Sequence, residues 1–358
     1  MKIENLIREN IKSLKPYSSA RSKNLNGILL DANENGYSDN VYQEFNFNRY
    51  PDPNQTDLRK VMAKYLSVSY ENLLFGVGSD EIIDLLVRIF CEPGKDNVII
   101  NIPTYGMYKV VADINNIEIQ NVSLTENFQL DIIQIKKSIN QNTKMIFICS
   151  PNNPTGNLIK SVDILNLAES ANCMIVVDEA YIEFDESNSL LTKSKLTENV
   201  IVTRTFSKAW GLAGLRCGYC YADKTVIEYL LRIKAPYNLN SFTMNIIQKT
   251  VENFASKNEI VNKIITQKNI LKNVLNELKF VLKIYESNTN FLLIKTDNSS
   301  QLLEFLSNEK IIIRDRSNET GLENCVRISV GNEEENSLLI SKLRKYNEKY
   351  FSVRQSFH

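Results

Sequence analysis

A lysine stands just past one apolar run of this sequence. Val200–Thr205 leads through Phe206 and Ser207 to Lys208, followed by Ala209, Gly211, Ala213 and Gly214. A lysine desolvated by apolar and small neighbours holds its proton less tightly and becomes a usable amine nucleophile. The plain alternative is a solvated surface lysine, which the small residues around it argue against. A second apolar run, Cys173–Val177, ends in Asp178, Glu179, Ala180 and Tyr181. A carboxylate at the end of a buried strand is costly unless a cation faces it. That cation is either a protonated ring nitrogen or, structurally, an arginine such as Arg216. A third run, Lys144–Cys149, opens into Ser150, Pro151, Asn152, Asn153, Pro154, Thr155 and Gly156. Its prolines stiffen the loop and aim the asparagine amides.

Two further runs end in residues of interest. Leu73–Gly76 is followed by Val77, Gly78, Ser79, Asp80 and Glu81, entering a helix pattern. Gly76 and Gly78 let backbone approach a ligand, and a helix N-terminus presents free N–H groups to an anion. An ordinary strand–turn–helix capped by Ser79 or Asp80 remains the alternative. Val98–Asn101 is followed by Tyr105, placed either to cover a flat ligand or simply to pack. Together these residues bring a lysine amine, a carboxylate, an asparagine and tyrosines to one sheet edge. They add an anion cradle at Gly78, Ser79 and Asp80, and Thr205, Ser207 and Arg216 beside it. The set matches pyridoxal 5′-phosphate: an aldehyde for Lys208, a ring nitrogen for Asp178, a phenolic oxygen, a phosphate and a ring face.

These residues need a scaffold. Short apolar runs alternate with helical patterns such as Glu81–Phe90 and Val162–Ala171, which predicts an α/β domain with a mostly parallel, doubly wound sheet. Ligands of such sheets bind beyond the carboxyl ends of the strands. After about residue 240 the pattern changes to a long amphipathic helix over Asn258–Phe280, carrying Ile260 in its apolar stripe, and then to strand runs at Asn290–Lys295, Ile311–Arg314 and Cys325–Val330. We expect three parts: an N-terminal helical segment over 1–25 that contacts the smaller domain or a partner subunit, a large domain over 26–240, and a small α+β domain over 241–358.

The bulk composition narrows the chemistry. His358, the last residue, is the one histidine, so triads with an internal histidine base and mixed Cys/His zinc sites are excluded, and we expect no metal. Acid–base work falls to lysine, carboxylate, tyrosine, cysteine or a cofactor. Lys+Arg and Asp+Glu both number 42, which gives no electrostatic case for nucleic acid or membrane as partner. The start of the chain has no apolar stretch of a secretory signal, and a cytoplasmic location is expected. Cys217 and Cys220 form a CxxC, but in a strand these positions point to opposite faces, so buried reduced thiols are the expectation.

The motifs resemble the fold-type I pyridoxal-phosphate aminotransferases, and their histidinol-phosphate branch in particular. The carrying segments are 16–21 (PYSSAR), 30–35 (LDANEN), 48–53 (NRYPDP), 103–108 (PTYGMY), 150–156 (SPNNPTG), 178–184 (DEAYIEF), 207–219 (SKAWGLAGLRCGY), 311–316 (IIIRDR) and 326–331 (VRISVG). The resemblance implies a seven-stranded large domain and the following roles. Lys208 binds the cofactor and then serves as base and acid. Asp178 pairs with the ring nitrogen, Asn153 and Tyr181 hold the phenolic oxygen, and Tyr105 stacks on the ring. The amides of Ser79 and Asp80 beside Gly78, with Thr205, Ser207 and Arg216, bind the phosphate. Tyr50 reaches a partner subunit's site, which implies a homodimer. Arg327, Arg314, Tyr17, Asn33 and Asn153 meet the substrate. Arg314 and Arg316 have the alternative of a solvated edge-strand pair. One departure is Gly36 after Asn35, where the family usually has proline.

The implied reaction is L-histidinol phosphate plus 2-oxoglutarate giving 3-(imidazol-4-yl)-2-oxopropyl phosphate plus L-glutamate. A threonine-phosphate decarboxylase and an aromatic amino-acid aminotransferase share the cofactor residues. A ligand sensor on the same fold is the non-enzymatic alternative, and a nicotinamide enzyme rests only on Gly76 and Gly78.

Overall fold

The computed structural model describes residues 2–15, 28, 30–37, 47–192 and 196–351. In chain order its main elements are α1 (Glu9–Lys12), α2 (Thr56–Leu66), β1 (Leu73–Val77), α3 (Gly78–Phe90), β2 (Asn97–Ile102), α4 (Met107–Ile114), β3 (Glu118–Ser123), α5 (Ile132–Ser138), β4 (Thr143–Cys149), α6 (Ser161–Ser170), β5 (Met174–Asp178), β6 (Val200–Thr205) and β7 (Cys217–Tyr221). Then come α7 (Lys224–Ile233), α8 (Ser241–Glu252), α9 (Phe254–Glu277), β8 (Val281–Ile284), β9 (Phe291–Thr296), α10 (Ser299–Asn308), β10 (Arg314–Asp315), β11 (Cys325–Ser329) and α11 (Glu333–Phe351).

The large sheet has the order β1-β7-β6-β5-β4-β2-β3. β7 runs antiparallel to both neighbours, while the pairs β6/β5, β5/β4, β4/β2 and β2/β3 are parallel. So β1, β2, β4, β5 and β6 all point their carboxyl ends to one edge, where the predicted residues lie. Strand alternation feeds two cores, as a sheet covered on both faces requires. In β4, Met145 and Phe147 join a cluster with Ile83, Phe90 and Tyr108, while Ile146 and Ile148 join one with Leu167 and Val202.

The smaller sheet is antiparallel, in the order β10-β11-β9-β8. Leu271 and Leu275 of α9 pack with Ile294, Leu306, Val326 and Leu343 to form its core. α9 also carries Val261, which meets Tyr181 and Ala209 of the large unit and Phe291 of the small one. The long helix is therefore shared by the two units.

Several expectations are corrected. Ile3 and Ile7 pack into the large-domain core beside Ile82 and Phe90, and Arg8 pairs with Glu92 at 2.9 Å. Within the described residues, the N-terminal segment thus docks on the large domain and not on the small one. The expected boundary at 240 also precedes α8, whose Ile247 and Val251 pack with Leu58, Phe75 and Trp210. Of the run Ile311–Arg314, only Arg314 is in a strand. Ile260 is 41% exposed and lies outside the buried stripe of α9. β3 and β8 were not expected; both are edge strands with mixed burial, so neither shows an apolar run. Cys217 and Cys220 are free and buried, on opposite sides of β7, in different clusters.

Candidate active site

At the carboxyl edge lies a cavity of about 640 Å³, lined among others by Asp80, Tyr105, Asn153, Asp178, Tyr181, Lys208, Arg216, Arg314 and Arg327. That size suits a cofactor plus a small substrate.

Lys208 is placed by a turn that folds back after β6. Phe206 donates its N–H to Cys217 O at 3.0 Å and Gly211 donates to Lys208 O at 3.1 Å. The ammonium sits 5.6 Å from the centre of the Tyr181 ring. Its nitrogen has no hydrogen-bond partner among the described residues. Burial lowers its pKa, and the positive charge of Arg327 lowers it further. This is the direction a nucleophilic amine requires.

Asp178 and Glu179 are both buried, yet only Glu179 has a cation: Arg204 meets it at 2.8 Å. Asp178 accepts from the Tyr108 hydroxyl at 2.8 Å and from the Ala180 N–H at 3.1 Å. Burial pushes its pKa up to about 6. Arg216, the structural partner considered from sequence, instead lies 3.6 Å from Asp80. Asp178 is thus a nearly inaccessible carboxylate with no cation on it among the described residues.

The 150–156 loop is held from inside. Asn152 donates to Pro103 O at 3.0 Å and accepts from the Thr104 hydroxyl at 2.9 Å. That leaves Asn153 to face the cavity, where its Oδ1 accepts from Arg327. Tyr181 is buried, and burial raises the pKa of its phenol while Arg327 opposes the rise.

The anion cradle depends on two glycines. Gly78 has φ +73, which disfavours any side chain, and its N–H donates to Arg216 O at 2.9 Å. A Cβ on Gly218 of β7 would lie 2.4 Å from the Ser79 nitrogen. β7 therefore holds the start of α3 at backbone contact, with the free N–H groups of its first turn beside Ser207 and Arg216. The Thr205 hydroxyl donates to Ser207 Oγ at 3.0 Å, and Arg216 Nη1 is 3.5 Å from that same oxygen. Tyr105 donates its hydroxyl to Asp80 at 3.1 Å.

Opposite the lysine, the small sheet supplies arginines. Arg314 and Arg327 are directly opposed in the β10/β11 register. Arg316 also lines the cavity.

Not every expected residue is there. Tyr50 is half exposed and stacks on Tyr237 at 4.5 Å, in a separate surface depression with Gln55 and Met244. Asn33 is exposed, with φ 54, and is not among the cavity-lining residues. Tyr17 lies outside the described residues. Sequence reading gave no role to Tyr108, Thr104, Gly218 or Arg316. The spacing of Tyr108, three past Tyr105 at the start of a helix, was a usable signal; Gly218 gave none, because its neighbour is 139 positions away in sequence (218 − 79).

Comparison with known proteins now bears on this geometry. The model of the family "Aminotransferase class I and II" matches residues 26–343. A histidinol-phosphate aminotransferase of Cytophaga hutchinsonii is 43% identical over 346 residues, covering 96% of this chain and 99% of that one. The chain belongs to the histidinol-phosphate aminotransferase family, within the class I and II aminotransferases. Among solved structures, the histidinol-phosphate aminotransferase of Clostridium acetobutylicum superposes with a TM-score of 0.78 at 26% identity, covering 85% of this chain and 92% of that one. The enzyme of Sinorhizobium meliloti, solved with pyridoxal 5′-phosphate, shares the fold with a TM-score of 0.74 at 22% identity, covering 83% of each chain.

The residues present fit pyridoxal 5′-phosphate. Among the described residues Asp178 has no cation, which a protonated ring nitrogen would supply, and Lys208 has no hydrogen-bond partner, a place an aldehyde would take. Gly78 and Gly218 leave backbone N–H groups free for a phosphate, with Arg216 to balance its charge.

Proposed function

We propose that this chain is a pyridoxal-phosphate-dependent transaminase that moves the amino group between L-histidinol phosphate and 2-oxoglutarate, yielding 3-(imidazol-4-yl)-2-oxopropyl phosphate and L-glutamate in L-histidine biosynthesis. The observation that carries the reading is Lys208, without a hydrogen-bond partner among the described residues and with its pKa lowered by burial, sharing one cavity with Arg314 and Arg327. The 43% identity over almost the full length of both chains supports the choice of substrate.

When bound, the cofactor supplies an aldehyde for the substrate amine and an electron-accepting ring. Lys208 Nζ takes the proton from the substrate carbon that bears nitrogen and returns one later. Its lowered proton affinity suits both directions. Asp178 would accept from the protonated ring nitrogen and keep it charged, and Tyr108 and the Ala180 N–H fix the carboxylate's orientation. Asn153 and Tyr181 would bind the phenolic oxygen, and Tyr105 would cover the ring face. The amides of Ser79 and Asp80, the hydroxyls of Thr205 and Ser207, and Arg216 bind the cofactor phosphate. Arg327 and Arg314 bind the substrate phosphate in one half-reaction and a carboxylate of glutamate in the other. Guanidinium forks suit both anions.

The working form is a homodimer in which Tyr50 completes the partner's site. Ile28, Leu30 and Tyr37 support this, being 90%, 87% and 92% exposed in the single chain. Asn33 joins the substrate side in the same assembly. No described helix is long and apolar enough to cross a membrane, and a cytoplasmic location is part of the proposal.

The test is a paired amination assay with glutamate as donor. The imidazole-bearing keto phosphate should be turned over far faster than phenylpyruvate. Good use of phenylpyruvate with none of the keto phosphate would overturn the choice of substrate.

A further inference from the structure

The anion end of the cavity holds a third arginine with a carboxylate of its own. Arg314 at the start of β10 and Arg316 just past its end both line the cavity, whereas Asp315 between them does not and accepts from the Ser317 N–H at 2.9 Å. Arg314 already faces Arg327 across the ladder. Like charges directly opposed destabilise a strand pair, so three guanidiniums here need an anion to face them. Among the described residues, Glu319 is the carboxylate that meets them, 2.6 Å from Arg316 Nη1. A tight turn seats it: Glu319 N–H donates to Arg316 O at 3.1 Å, and Leu322 N–H donates to Glu319 O at 3.0 Å. Leu322 is fully buried and anchors the turn.

The pairing is incomplete. Arg316 Nε, Arg327 Nε and Glu319 Oε2 are all buried with no hydrogen-bond partner among the described residues. Burial lowers the pKa of Arg327, and the charge of Arg316 lowers it further. Three guanidinium charges less that of Glu319 leave two, since Asp315, which also feels Arg314, is exposed and screened by solvent. A phosphate dianion cancels both, whereas a carboxylate leaves one uncompensated.

We infer that Arg316 is a specificity-determining residue for a dianionic phosphate over a carboxylate, and that Glu319 is the positioning residue that holds it. This rests on the proposed phosphate-bearing substrate. Glu319 fixes one edge of the Arg316 fork, which pre-organises the remaining charge beside Arg327. It also trims the total so that a lone carboxylate gains little from Arg316.

The test compares wild type, Arg316→Gln and Glu319→Gln in the two half-reactions separately. For Arg316→Gln, kcat/KM for L-histidinol phosphate should fall by roughly 10- to 100-fold, mostly through KM, with a much smaller loss for L-glutamate. Glu319→Gln should narrow the preference by improving glutamate. Calorimetry of the cofactor-loaded protein gives a readout independent of turnover. Inorganic phosphate should bind more tightly than acetate to wild type, and Arg316→Gln should remove most of that preference. Where Arg316→Gln fails to fold, Arg316→Lys keeps the charge without the fork and should give an intermediate preference. Equal losses for both substrates, or an unchanged phosphate-to-acetate ratio, would overturn the inference. If wild type ignores histidinol phosphate yet its phosphate preference still vanishes in Arg316→Gln, the proposed substrate fails and this inference stands.

Discussion

Asp178 and Glu179 show at the residue scale how function departs from stability. Glu179 is paired with Arg204 and satisfied, whereas Asp178 is equally buried with no cation on it among the described residues. Burial raises Asp178 from 3.8 to about 6, so the folded chain holds that proton more tightly than the unfolded one. Its contribution to stability is therefore fully present below pH 3.8 and is lost as pH rises through 6, a loss of about 3 kcal/mol before any relaxation. Asp178→Asn should raise the melting temperature of the cofactor-free chain at pH 8 and change it little at pH 4. The same variant should bind cofactor far more weakly, because it can no longer pair with a ring cation. Lys208→Ala should cut turnover by about 1000-fold or more while leaving the fold intact by circular dichroism. These residues were legible in sequence because each follows an apolar run and is chemically out of place there. Tyr108 was less legible: its spacing from Tyr105 is a signal, but a tyrosine in a helix pattern reads as packing until its hydroxyl is seen on Asp178.

The elements were legible in proportion to their burial. β4, β5 and β6 are almost wholly buried and stand out as apolar runs. β3 and β8 have open edges and mixed composition, and they are recognised only from their pairing. The contact of β7 with α3 is a long-range fact of the same kind. Gly218→Ala would force β7 and the start of α3 apart, since the new Cβ would fall 2.4 Å from the Ser79 nitrogen. Overpacking of this sort costs roughly 1–3 kcal/mol, and it would spoil the anion cradle as well. The expected result is a lower melting temperature with a cofactor dissociation constant raised at least about 10-fold. A variant that loses stability but keeps its cofactor affinity would show that the cradle does not depend on this apposition.

For the whole molecule, α9 joins the two units and Val261 packs against both sides of the active-site seam. The position of Arg327 relative to Lys208 therefore depends on how the small sheet is seated on the large one, which no local motif encodes. In the proposed homodimer the half-exposed Tyr50 completes the partner's site. Mixing inactive Lys208→Ala subunits with inactive Tyr50→Ala subunits should restore activity, to about a quarter of wild type at equal amounts, because a mixed dimer keeps one intact site. No recovery from dimers shown to have exchanged would place Tyr50 outside the partner's site.

Lys208 and the facing arginines make one proposed site for a phosphate-bearing amine. The most direct test of that site is a single-turnover titration of the cofactor-loaded protein followed in the visible band of the cofactor. L-histidinol phosphate should bleach that band, 2-oxoglutarate should restore it, and Lys208→Ala should do neither at a comparable rate. A band that survives histidinol phosphate but bleaches with L-phenylalanine or L-threonine phosphate would contradict the account.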